Sequence, residues 1–284
     1  MLAFVTSLRH PLNSDDYGRV EALLRETLRS VCAQTSDEYA VFVVGNKEPR
    51  FPLPEPVTFV PVDFPPPVQH HGPVTPREPF VWDKGTKIGI GLAAARQVRP
   101  DHVMIFDADD FVHRRLAEYA ADRRAEPGWV LTEGYMYSSR RRSLQLRRDF
   151  NRTCGTSHIV RFDAYGVPDD LAPSATQQEV AHAYGDRLGA ILGAHRDAVH
   201  WLADRGYALA PLPFRGAVYQ VDTGENHSGK GMRGLARPLG ASTANAFTIP
   251  LHGSPVRRAW TAFGPAYVAE SAGGLARRAL LRLR

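Results

Sequence analysis

Apolar positions recur along the chain in two alternating rhythms. Leu2 to Leu8 is a short apolar run that ends in the turn-forming Arg9-His10-Pro11, which predicts a buried strand. Val20, Leu23, Leu24, Thr27, Leu28 and Val31 follow at three- and four-residue spacing, the single buried face of a helix. Tyr39 to Val44 is β-branched and aromatic and closes on Gly45-Asn46, predicting a second strand. Strand, helix and strand in that order imply a parallel pair joined by a crossover.

The alternation continues downstream. Val57 to Val62 reads as a strand, whereas eleven of the 22 prolines fall between Pro49 and Pro79, so Phe64 to Phe80 is expected to be a long surface loop. A helix is predicted from Lys84 to Gln97, with Ile88, Gly91, Leu92 and Ala95 on one face and Arg99-Pro100 stopping it. His102 to Phe106 reads as a strand, Leu116 to Arg124 as a helix and Trp129 to Thr132 as a strand. The arginine-rich stretch Ser138 to Arg148 is expected to be a solvated loop or edge. A helical block from Thr176 to Asp204 breaks near Gly193-Ala194-His195, and Leu209 to Leu212 and Ala217 to Val221 read as further strands. Past Thr248 the pattern weakens until Leu275 to Arg284, a short basic amphipathic helix. The reading is an α/β domain over residues 1–250 followed by a basic C-terminal extension over residues 251–284.

Composition narrows the class. With 284 residues, 43% hydrophobic, 23% charged and a mean hydropathy of −0.30, the chain can bury a substantial core, which excludes a mostly disordered protein. The excess of 35 basic over 30 acidic residues suits an anionic substrate without arguing for nucleic acid. Two cysteines, Cys32 and Cys154, are too few for a disulfide framework. No stretch reaches the roughly 20 apolar residues of a membrane span, and the N-terminal apolar run is too short for a signal peptide, so a cytoplasmic location is expected.

Three polar clusters carry candidate chemistry. Asp107-Ala108-Asp109-Asp110 follows an apolar strand, where open α/β sheets bind ligands. Adjacent carboxylates repel one another unless a cation neutralises them, and Mg²⁺ or Mn²⁺ prefers such oxygen ligands; the bland alternative is an acidic cap on a helix starting near Phe111. Asp222 to Arg233 is a polar, glycine-rich run in which His227 could ligate Mn²⁺ while Lys230 and Arg233 could hold a diphosphate. Trp82 to Lys87 places Lys84 and Lys87 at an expected helix start, an anion site in outline. His70-His71, on the proline-rich loop, lacks the third partner that a metal site needs.

Taken in order, these parts resemble a known family. Thr27-Leu-Arg-Ser-Val-Cys-Ala-Gln-Thr35, the strand Val41-Phe-Val-Val44, Gly91-Leu-Ala-Ala-Ala-Arg96 and Phe106-Asp-Ala-Asp-Asp110 are similar to the helix end, second strand, central helix and D-x-D motif of GT-A-fold, family-2-type nucleotide-diphospho-sugar glycosyltransferases. The likeness covers roughly residues 1 to 135. It implies a Rossmann-like, mostly parallel sheet flanked by helices, with a C-terminal helical extension. It also implies a hexosyl-type transferase using a UDP-, GDP- or dTDP-linked sugar donor. Asp107 and Asp109 would engage the donor and a Mn²⁺ or Mg²⁺ ion, Asp110 being a further candidate, and His227 would complete the metal's ligands. Ser7, Arg9 and Asn46, at the ends of the first two strands, would sit by the base and ribose. Lys84, Lys87, Lys230 and Arg233 would contact the donor phosphates.

Two parts of the family pattern are absent. Val44-Gly45-Asn46-Lys47 stands where an Asp-Asp-Gly-Ser run is usual, and the downstream Glu-Asp pair that supplies the acceptor base is missing. The base is therefore sought among Asp197, His195 and Asp186. Competing classes are a GT-A-like binding protein without activity and a haloacid-dehalogenase-like phosphatase; the latter expects its D-x-D after the first strand, not the fourth. The basic tail either packs on the domain or touches an anionic membrane, in which case the protein would sit at the inner membrane face and a lipid-linked acceptor would join sugars and small molecules as acceptor classes.

Overall fold

The computed structural model describes residues 1–68, 76–225, 231–265 and Tyr267. His70-His71, His227, Lys230 and the tail from Leu275 to Arg284 lie outside the described residues. The elements run β1 (Leu2–Ser7), α1 (Tyr17–Val31), β2 (Tyr39–Gly45), β3 (Val57–Pro61), α2 (Glu78–Ala95), β4 (His102–Ile105), β5 (Phe111–Val112), α3 (Leu116–Ala121), β6 (Gly128–Val130), β7 (Gly134–Ser138), β8 (Ser143–Arg147), α4 (Phe150–Thr153), β9 (His158–Arg161), α5 (Gln177–Tyr184), a π-helical turn (Leu188–Leu192), α6 (Ala198–Ala203), β10 (Ala210–Pro211), β11 (Ala217–Val221), β12 (Arg237–Pro238), α7 (Ala241–Ala246) and α8 (Pro255–Phe263).

A seven-stranded sheet in the order β10-β6-β9-β4-β1-β2-β3 forms the body, and β9 alone runs against the other six strands. This mixed, mostly parallel sheet flanked by helices is the architecture that the GT-A resemblance implies. Successive residues of β1 point to opposite faces, and both faces are buried. Leu2 and Phe4 pack with Leu24 and Leu28 of α1 and Leu116 of α3, while Ala3 and Val5 pack with Ile88 and Leu92 of α2 and with Val180 and Tyr184 of α5. A second sheet, in the order β12-β8-β7-β11-β5, lies on the α1 side and contributes Met136, Tyr219 and Val221 to that core.

Several expectations need correction. The helix predicted from Lys84 begins at Glu78, so the loop ends before Phe80: Pro79 occupies the first turn, where its fixed φ and missing N–H cost nothing. Lys84 and Lys87 thus lie inside a helix whose amides are already bonded, which removes the anion site expected at a helix start. No helix begins near Phe111; β5 does, pairing with β11. Ser138 to Arg148 is a β-hairpin of β7 and β8 turning at Arg142 (φ 47°), and Arg141 is fully buried rather than solvated. Its guanidinium is satisfied by the carbonyl groups of Gly234 and Ala262, at 3.1–3.3 Å. Strand β9 lies inside the large sheet between β6 and β4, though no strand was expected at His158 to Arg161.

Glycines let α2 press onto the sheet. A Cβ on Gly91 would lie 2.6 Å from Cγ1 of Val5 and 2.8 Å from Cγ2 of Val44. Gly91→Ala, which in an exposed helix would gain about 1 kcal/mol, should here lose about 1–3 kcal/mol through overpacking, measured by urea denaturation.

Candidate functional site

The carboxyl ends of the parallel strands β1, β2 and β4 emerge at one edge of the sheet and carry Arg9, Asn46 and the Asp107–Asp110 turn respectively. The three aspartates of that turn have different fates. Asp110 is fully buried: its Oδ1 accepts the Gln220 amide of β11 at 3.0 Å, and its Oδ2 accepts Cys154 Sγ at 3.0 Å and the Thr156 hydroxyl. Burial, with Asp109 and Asp107 beside it, pushes this carboxyl well above the usual range in spite of those donors.

Asp107 and Asp109 are both partly exposed. Burial works against the charge of Asp107, yet the Lys84 ammonium, paired with its Oδ1, holds this carboxyl below its ordinary value. The Asp107 amide donates to Thr156 Oγ1 at 2.9 Å, so the loop before β9 braces the acidic turn. Gly155 of that loop leaves no room for a side chain, since a Cβ would lie 2.7 Å from Asp107 Oδ2 and 3.2 Å from Lys84 Nζ. Asp109 stands two residues further along the turn. Burial and the neighbouring Asp107 raise its carboxyl to about 7, with Arg9 and Lys84 offsetting part of the effect.

The donor set fits a hard divalent cation. Two partly exposed carboxylates stand two residues apart, and one of them is pushed toward protonation by burial and by the other, a cost that Mn²⁺ or Mg²⁺ would relieve. Ligand atoms of Asp107, Asp110 and Cys154 also lie within 4.8 Å of one another and could hold an ion. That set suits a hard cation less: Asp110 is engaged by three donors, and burial pushes the Cys154 thiol well above its ordinary range, so it stays protonated.

The other sequence candidates scatter. Arg9 pairs through Nη1 with Glu225 Oε2 at 2.7 Å, tying the end of β1 to the loop that follows β11. Ser7 ends β1, and Asn46 donates to the Phe64 carbonyl at 2.8 Å while its buried Oδ1 has no hydrogen-bond partner. Lys87, one turn beyond Lys84, is fully buried between Asp83 Oδ2 (2.8 Å) and the Leu8 carbonyl (3.0 Å), so it fastens α2 to the exit of β1. Arg233 is exposed, its carbonyl held by Gln145.

Of the three base candidates, Asp186 is exposed and paired with Arg205 at 2.8 Å, and Asp197 is exposed at the start of α6. His195 instead lines a cavity of about 20 Å³ together with Lys84, Gly155 and His158, and its buried Nε2 has no partner. Burial and the Lys84 charge lower its pKa to about 4, leaving a neutral imidazole at physiological pH. His158, Gly155 and Thr156 had no sequence signal: they belong to no motif and reach the site only through the pairing of β9 with β4.

No protein-family model and no curated protein sequence matches this chain. Among solved structures it is similar to S. aureus TarS 1–349, with 14% identity and a TM-score of 0.41 over 77% of this chain and 60% of that one. It is also similar to TarS 1–349 in complex with UDP (12%, 0.42, over 78% and 60%) and to S. aureus TarS (12%, 0.41, over 78% and 36%). The chain thus spans 60% of the length of TarS 1–349.

Two outcomes separate the roles at this site. Asp110→Ala strands three buried donors and should cost about 3 kcal/mol or more of stability, whereas Asp109→Ala, which removes a crowded charge, should leave the urea midpoint unchanged or raised. His158 is buried, and burial together with His195 lowers its pKa to about 3. The unfolded chain therefore takes up a proton near pH 6.5 that the native state refuses. The stability contribution is complete above about 6.5 and fades as the pH falls toward 3, a loss of about 2 kcal/mol by about pH 5. Denaturation at stepped pH should show this slope, and His158→Gln should reduce it by that share, leaving the part due to His195 and His113, whose pKa values burial also lowers to about 4.

Proposed function

We propose that the protein is a metal-dependent glycosyltransferase that takes a sugar from a nucleotide-diphosphate donor. The observation that carries this reading is the acidic turn: Asp107 and Asp109 stand half-exposed at the carboxyl edge of a mostly parallel sheet, flanked by Lys84 and the guanidinium of Arg9. A D-x-D pair after a central strand, preceded by the family-like segments at Thr27–Thr35 and Gly91–Arg96, is the expected setting for a sugar-nucleotide diphosphate. A divalent ion held there would supply Lewis-acid stabilisation of the departing nucleotide.

The chain's own residues do the rest. Asp107, Asp109 and His227 would hold a Mn²⁺ or Mg²⁺ ion, and Lys84, Lys230 and Arg233 would contact the donor phosphates. Ser7, Arg9 and Asn46 border the nucleoside end. His195 is the favoured base, because its neutral Nε2 is unpaired beside Lys84; Asp197 and Asp186 rank behind it. The donor is a hexosyl nucleotide linked to UDP, GDP or dTDP, and the acceptor a sugar, small-molecule or lipid-linked hydroxyl.

A thermal-shift panel of UDP-, GDP- and dTDP-sugars with and without Mn²⁺ tests this. One nucleotide should raise the unfolding midpoint only when metal is present, since a ligand binding the native state alone stabilises it by mass action, and Asp109→Ala should abolish the rise. A shift indifferent to metal and to that substitution, or no shift with any donor, would overturn the reading.

A further inference from the structure

Helix α8 is fastened on one side and bare on the other. Ser254 caps it, its Oγ accepting the Arg257 amide, and Pro255 opens the first turn. On the inner side Ala262 is buried and its carbonyl receives the Arg141 guanidinium, which also lies 4.9 Å over the Tyr267 ring. The outer side carries Val256, Trp260 and Phe263 at spacings of four and three, so they form one stripe. They are 79%, 71% and 45% exposed. Lone exposed apolar residues are ordinary; a Trp, a Phe and a Val in line on one short helix are not.

Charge in the same part of the chain is equally lopsided. Residues 251–284 contain six arginines (257, 258, 277, 278, 282 and 284) against one acid, Glu270, a net of +5. The whole chain has the same excess, 35 basic over 30 acidic residues, so residues 1–250 carry equal numbers of each sign. All of the net positive charge of the sequence therefore falls within residues 251–284, the stretch that contains α8.

We infer that α8 docks the protein on an anionic lipid surface. Val256, Trp260 and Phe263 enter the boundary between headgroups and acyl chains, and the exposed Arg257 beside them meets the lipid phosphates. An apolar stripe or a basic cluster alone gives weak attachment, whereas the two together give a stable one. No helix among the described residues is long and apolar enough to cross a bilayer. The inference does not rest on the glycosyltransferase reading, and its test contains no donor.

Co-sedimentation of the full chain with phosphatidylcholine vesicles, with and without phosphatidylglycerol, tests it. Binding should require phosphatidylglycerol and weaken with added salt. It should fall about tenfold in Arg257→Glu/Arg258→Glu and comparably in Val256→Ser/Trp260→Ser, both with unchanged thermal midpoints because these side chains are outside the core. Equal binding to neutral vesicles, or wild-type binding by Val256→Ser/Trp260→Ser, would overturn the assignment. So would a dimer in size-exclusion chromatography that this second variant converts to monomer, which would give the stripe to a second copy of the chain.

Discussion

The buried side chain of Asp110 is the constraint on which the site depends. It collects an amide from β11 in the small sheet and a thiol and a hydroxyl from the loop leading to β9 in the large one. A carboxyl group without water must find hydrogen-bond partners, and these come from two segments far apart in sequence, so the two sheets are pinned together where the acidic turn emerges. With Asp110 turned inward, Asp107 and Asp109 are left at the surface of the cleft. The crowding of three acids is thus divided: Asp110 serves the fold, Asp107 is paired with Lys84, and Asp109 is pushed toward protonation by burial and by Asp107.

Long cations act as struts elsewhere in the molecule, and neighbouring ones have different duties. Lys84 and Lys87 are one helical turn apart on α2, yet the first faces Asp107 at the cleft while the second is sealed between Asp83 and the Leu8 carbonyl. Arg141 and Arg142 are adjacent in a hairpin turn, and the first is buried under α8. In each case a guanidinium or ammonium enters the interior because carbonyl or carboxylate oxygens await it there. The glycines at 91 and 155 make the complementary allowance, letting backbone approach where any side chain would collide.

The chain by itself determined the strands and helices that bury an unbroken apolar face. β1, α1, β2, β4 and the acidic turn after β4 could be read from the spacing of apolar residues, because both faces of a central parallel strand and one face of its helix must leave water whatever the rest of the chain does. The chemistry of Asp107 and Asp109 was visible in the same way, as carboxylates where a sheet ends. Elements whose identity comes from partners were not legible. Strand β9, with only four residues, exists because β4 and β6 flank it, and the start of α2 was hidden behind the prolines of the preceding loop. The arginines of the β7–β8 hairpin looked solvated because sequence does not reveal which carbonyl groups will be waiting. Only the tertiary structure decided that Asp110 is a pin, that Lys87 is a strut and that His195 rather than Asp186 or Asp197 shares a cavity with Lys84. Those are relations between segments dozens of residues apart, set by the pairing of strands and the packing of helices, and no local periodicity encodes them.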